Sequence, residues 1–159
     1  MRAIVIEGPD GAGKTHLMKA MLGRHPEYRA APRPCTSLGG PMTGQRLVDW
    51  IQNYGLMDTC IYDRHPSISG PVYDVVFSRR VAQKMQPWIQ GVLYEIHKNA
   101  RVIYCRPPRR TIIRAVNESP QMNGVERMIH RIIDTYDAIM GSMIPHERYD
   151  WTTDDLPSL

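Results

Sequence analysis

The chain has 159 residues, with 20 Lys and Arg against 16 Asp and Glu for a formal charge of +4, and three cysteines. That length suits a single domain over residues 1–159 with a core that needs no disulfides, and Cys35, Cys60 and Cys105 cannot all pair and have no Cys-x-x-Cys spacing, so they read as reduced thiols. No stretch reaches the roughly 18 consecutive apolar residues of a membrane span and no leader pattern opens the chain, which gives a cytoplasmic expectation with no membrane partner.

In chain order, Ala3 to Glu7 is a short run of the kind a parallel strand buried on both faces shows, and Lys14 to Leu22 follows with helical spacing. A weak strand is expected at Tyr28 to Ala31. The Pro-, Gly- and Ser-rich stretch after it reads as a loop, and Gln45 to Tyr54 returns to helical spacing through Leu47, Trp50 and Ile51. "TCIYDRHP" is a strand that ends on charge. Val81 to His97 carries a helical stripe of Val81, Met85, Trp88, Ile89, Val92, Leu93 and Ile96, either kinked or started afresh at Pro87. "ARVIYCRPP" is a strand stopped by prolines, Arg109 to Val116 a helix, "NESPQMNG" a loop, Val125 to Met140 a long amphipathic helix, and "HERYDW" a closing strand. This alternation predicts an α/β fold with a mainly parallel sheet of about five strands and right-handed crossovers.

The opening strand runs into "GPDGAGKT", Gly8 to Thr15, which is Gly-x-x-x-x-Gly-Lys-Thr set between a strand and a helix. That is the context a phosphate-binding loop needs, and it narrows the fold to the three-layer P-loop NTPase class. The glycines Gly8, Gly11 and Gly13 let the backbone of Pro9, Asp10 and Ala12 wrap a phosphate, and the helix that begins at Lys14 adds the positive end of its dipole, with His16 close by. Lys14 is expected to neutralise the β- and γ-phosphates of ATP, and Thr15 to hold Mg²⁺ through its hydroxyl. No Asn-Lys-x-Asp segment is present to read guanine, and the small size favours a kinase over a motor or switch.

"EGPDGAGKT" resembles the opening of thymidylate kinase and related P-loop nucleoside and nucleotide kinases. "YDRHPSISGPVY", Tyr62 to Tyr73, is similar to that group's Asp-Arg-Tyr/His segment, "RPCTSLGGPMTGQRL" echoes its Arg-Glu-Pro-Gly-Gly loop, and Tyr136 falls where its helix after the lid carries a tyrosine. The wording of "ESPQMNGV" looks most like the short kinases encoded by bacteriophages. The resemblance implies that Asp10 faces the acceptor's sugar, that His65 and Tyr73 belong to the acceptor side, and that lid arginines come from Arg106, Arg109, Arg110 and Arg114. Arg110 and Arg114 are the pair expected on the donor nucleotide. It also places Val48 where thymidylate kinases carry the arginine that grips a monophosphate, with Arg46 only near by.

Chemistry assigns roles beside the resemblance. Asp63, at the end of a buried strand, can order magnesium water or accept the proton of an attacking hydroxyl, though an acid capping a turn is the plainer alternative. Arg64 can brace a phosphate. Arg127 and Arg131, one turn apart on the long helix, can close over ATP or simply face solvent. The expected catalytic set is Lys14, Asp63, Arg64 and Asp10, the metal set Thr15 and Asp63, and the acceptor set Arg33, Arg46, His65 and Tyr73. Without the arginine clamp, an acceptor site near Arg29, Arg33 and Arg46 suits something larger than a mononucleotide. The resemblance to the short phage kinases then implies transfer from ATP to the hydroxymethyl group of hydroxymethyluracil in phage DNA, with a deoxynucleoside monophosphate as the alternative. A regulatory NTPase and a binding module without turnover also stay open, as does a homodimer.

Overall fold

The computed structural model describes residues 2–35, 42, 44–79 and 86–158. Five strands form one parallel sheet in the order β2-β3-β1-β4-β5, where β1 is Ala3–Glu7, β2 Arg29–Ala30, β3 Cys60–Asp63, β4 Ala100–Cys105 and β5 Glu147–Tyr149. Six helices are described: α1 (Lys14–Arg24), α2 (Gln45–Tyr54), α3 (Pro66–Phe77), α4 (Gln86–Asn99), α5 (Arg109–Glu118) and α6 (Val125–Met143). The three-layer α/β architecture is the one the alternation of elements predicts.

Every residue of β1 is buried, which explains its unbroken apolar run, and its side chains feed two cores by turns. Ile4 and Ile6 join Leu17 and Met21 of α1, with Ile61, Ile103 and Cys105 beside them. Ala3 and Val5 join the larger core under α2 to α6, built on Tyr62, Val72, Ile112, Ile129, Ile132 and Tyr136. The register sets Ile6 opposite Asp63 on one side and opposite Ile103 on the other, so the ends of β3 and β4 flank the turn that leaves β1.

Helix α3 is absent from the sequence reading, because its segment PSISGPVYDVVF carries two prolines and a glycine. Pro66 occupies the first turn, where no amide is needed, and His65 caps the end by accepting the Ser67 N–H at Nδ1, 3.2 Å away. Pro71 lies inside and is carried by packing, with Ile68, Val72 and Val76 all buried. The expected strand at Tyr28 to Ala31 narrows to Arg29–Ala30 at the sheet edge, and α5 extends over Asn117 and Glu118, which shortens the expected lid loop. Pro87 falls in the first turn of α4, while Val81 and Met85, named for that helix, lie outside the described residues.

One backbone contact fixes how closely the loop after β1 approaches β4. Gly8 has φ +144, and a Cβ there would sit 2.5 Å from the Cys105 carbonyl oxygen. Gly8→Ala should therefore cost about 2 kcal/mol or more, whereas Gly23→Ala, in α1 with open space around it, should be neutral or stabilise by up to about 1 kcal/mol; urea denaturation of the two variants compares them.

Candidate active site

The loop between β1 and α1 wraps as its glycines allow. Gly11 and Gly13 have φ of +74 and +86, and Gly13 forms the N-cap of α1. Lys14 is buried and donates from Nζ to the Pro9 carbonyl at 2.6 Å, so its ammonium lies across the mouth of the loop. Burial pushes Lys14 down to about 8, with Arg64 acting in the same direction.

Beside it, the end of β3 brings two charged side chains to one place. Consecutive strand residues point to opposite faces, yet Arg64 has φ +72, and this left-handed turn lets Asp63 and Arg64 both face the cavity. The Arg64 N–H still donates to the Ile6 carbonyl at 2.9 Å, which keeps the turn on β1. The Thr15 hydroxyl donates to Asp63 Oδ2 at 2.6 Å, and Arg33 Nη2 donates to the same oxygen at 2.5 Å and to Thr15 Oγ1 at 2.9 Å. Arg64 Nη2 donates to Asp10 Oδ1 at 2.8 Å, and Tyr73 donates to Asp10 Oδ2. Burial alone would raise both carboxyls. Lys14, Thr15 and Arg33 outweigh it at Asp63, as Arg64, Lys14 and Tyr73 do at Asp10, and both are held below the usual carboxylate range.

These residues form one end of a cavity of about 610 Å³ that continues past Arg33 to Met42 and Leu47, Tyr73 and Arg79 of the α3 side, and Pro120 to Met122 of the loop before α6. The volume is that of a small-molecule site. Thr15 and Asp63 offer two hard oxygen ligands at hydrogen-bond distance, one of them an ionised carboxylate, which suits Mg²⁺ held by one or two protein groups together with phosphate oxygens and water.

Lys14, Thr15, His16, Asp10, Asp63, Arg64, Arg33 and Tyr73 all line this cavity. Other expected residues lie elsewhere. His65 is a correction: its ring is wholly buried, with Nδ1 accepting from Ser67 and Nε2 set against the Gly55 carbonyl at 2.5 Å, so it holds α3 and β3 together and does not face an acceptor. Arg46 is exposed in the first turn of α2, outside the cavity lining, and Arg29 is exposed beside Cys60. Arg110 and Arg114 point to solvent from α5, Arg114 towards Glu118. Arg106 is spent on a two-pronged pair with Asp137 at 2.8 Å, and Arg109 is paired with Asp134. Arg127 is exposed, and Arg131 donates to the Val75 carbonyl. Val48 is half-buried against the core.

Three features had no strong sequence signal. Glu7 is wholly buried and accepts the His65 N–H at 2.6 Å and the Tyr136 hydroxyl at 3.1 Å, a role hidden behind its place at a strand end. Arg79 stacks its guanidinium on Phe77, 4.9 Å from the ring centre, and Phe77 in turn lies parallel to Tyr73. Trp151 lies against Gly13, where a Cβ would come within 2.8 Å of its ring; an aromatic just after the closing strand is the one hint the sequence holds.

No protein-family model matches the chain, and no curated protein matches it by sequence. Solved structures do. The YorR protein of Bacillus subtilis, solved in complex with phosphorylated GDP, is 18% identical with a TM-score of 0.72 over 95% of this chain and 86% of its own. Deoxyadenosine kinase from M. mycoides with bound dATP is 15% identical at 0.64 over 98% and 93%, and the same enzyme with bound dCTP is 16% identical at 0.63 over 96% and 92%. The chain shares their fold.

Two buried groups here titrate in opposing senses. Burial pushes His65 from 6.5 down to about 4, so between those values the unfolded chain binds a proton the folded one refuses; this contribution is complete above pH 6.5 and is lost as pH falls towards 4. Burial pushes Glu7 from 4.5 up to about 7, so its contribution is complete below pH 4.5 and is lost as pH rises through 7. The His65 ring should therefore stay neutral at pH 5 in ¹⁵N-edited spectra, with Nε2 protonated, and these two groups should leave stability nearly level between pH 4.5 and 6.5.

Proposed function

We propose that this protein is an ATP-dependent kinase that transfers the γ-phosphoryl group to a nucleotide-type acceptor. The observation that carries the reading is the juxtaposition of Lys14 and Thr15 with Asp63 and Arg64 at one end of a cavity whose other end brings Met42, Leu47, Met122 and Tyr73 together with Arg79. Lys14 and the backbone of Gly8 to Thr15 bind the donor's phosphates, and Arg64 offsets charge on the transferred group. Asp63 and Thr15 would hold Mg²⁺, which when bound bridges phosphate oxygens and neutralises their charge. The role expected for Arg106, Arg109, Arg110 and Arg114 passes to the cations that line the cavity.

Of the two acceptors expected from sequence, a free deoxynucleoside monophosphate is favoured over a hydroxymethyl group in DNA. Asp63 and Asp10 are each engaged by two donors and held ionised below the usual range, which makes them weak bases towards a hydroxyl. A phosphate monoester attacks as an anion and needs no base. Arg29 and Arg46, the other two arginines expected at a polymer, also lie outside the cavity lining.

Labelled ATP offered with nucleoside monophosphates, nucleosides and hydroxymethyluracil DNA should label the monophosphates best, with EDTA abolishing transfer and Mg²⁺ restoring it. Preferred labelling of the DNA would reverse the choice of acceptor, and hydrolysis independent of any acceptor would point to an NTPase. In the same assay, Lys14→Ala should lower turnover by about a hundredfold or more without unfolding the chain, and Asp63→Asn should lower kcat far more than ATP affinity.

A further inference from the structure

Arg33 does not point freely at an acceptor. Its Nη2 lies 2.5 Å from Asp63 Oδ2 and 2.9 Å from Thr15 Oγ1, and those two oxygens are themselves 2.6 Å apart. A guanidinium thus fills the station at which Thr15 and Asp63 would hold Mg²⁺. The two cations cannot share it, because they need the same oxygen lone pairs and repel each other.

The surroundings allow the guanidinium to leave while its backbone stays. Pro32 and Pro34 flank Arg33 and restrict the main chain, and the Trp50 indole N–H donates to the Pro32 carbonyl at 3.2 Å, which ties the segment to α2. The Arg33 side chain is 56% exposed, whereas that of Asp63 is only 5% exposed. A long cation that keeps most of its hydration contributes little through its ion pair and exchanges readily. On leaving, it remains in the cavity that runs on to Met42, Leu47 and Tyr73, with Arg79 on the same lining.

Resting on the kinase reading above, we propose that Arg33 is an exchangeable counter-cation: it occupies the Thr15–Asp63 station until Mg²⁺ enters with the nucleotide, then turns its guanidinium to the acceptor's phosphate. The exchange favours donor before acceptor, since the acceptor clamp is free only after the metal station is filled. Arg33 is a positioning residue for the metal site and a contact for the acceptor.

Isothermal titration with ADP over a series of Mg²⁺ concentrations tests this without turnover. Arg33→Ala should lower the Mg²⁺ concentration for half-saturation by about threefold, the scale of a partly exposed ion pair, and should raise the KM for a monophosphate more than it lowers kcat. Arg33→Lys, which keeps the charge if the alanine variant folds poorly, should lie between it and wild type. Arg46→Ala, outside the cavity, should match wild type. An unchanged or higher Mg²⁺ requirement in Arg33→Ala overturns the exchange and leaves the kinase reading standing. Wild-type protein that binds no ADP at any Mg²⁺ concentration overturns the kinase reading itself.

Discussion

A carboxyl group out of reach of water holds this site together. Glu7 ends the central strand, accepts the His65 amide from the turn after β3 with one oxygen, and accepts the Tyr136 hydroxyl from α6 with the other. Two segments far apart in sequence are thereby fixed to the residue that precedes the phosphate loop. The bound His65 amide and the Arg64 amide on Ile6 together hold the turn after β3, and that turn sets Asp63 against Thr15. Buried polar groups of this kind are costly unless every partner is in place, so the geometry of the candidate site and the integrity of the larger core are one requirement.

The sequence carried much of this and left out a definable part. The P-loop is legible because its chemistry is local: glycines, lysine and threonine within eight residues and a helix to follow. The central strands are legible because both of their faces are buried, and α2 because its apolar stripe repeats every turn. Helix α3 hides because Pro66, Gly70 and Pro71 are read as punctuation, although the first sits where a helix tolerates it and the last is offset by the buried faces of Ile68, Val72 and Val76.

Side-chain roles divided in a similar way. Asp63 and Arg64 follow from a strand ending on charge. The arginines did not sort from sequence, since Arg33, Arg106, Arg109 and Arg114 look alike until a specific carboxylate claims each one: Asp63, Asp137, Asp134 and Glu118. Pairing of that sort is long-range or depends on rotamers, and composition holds no record of it. His65 misleads for the opposite reason, since a histidine beside a reactive-looking Asp-Arg invites a chemical role while its two ring nitrogens are consumed by Ser67 and Gly55.

The two cores are unequal, and the inequality bears on how the molecule would register a ligand. The smaller one draws on a single described helix, α1, through Leu17 and Met21, with Leu156 of the C-terminal segment packed against it. The same α1 begins at the phosphate loop. A charge bound at its first turn therefore acts on the element that closes one whole side of the sheet, and it would damp local opening there more than beneath the five-helix side. Occupancy of the loop would thus be felt as a lopsided stiffening, with amides of α1 and β1 exchanging more slowly while those of α4, on the opposite face, keep their own rate.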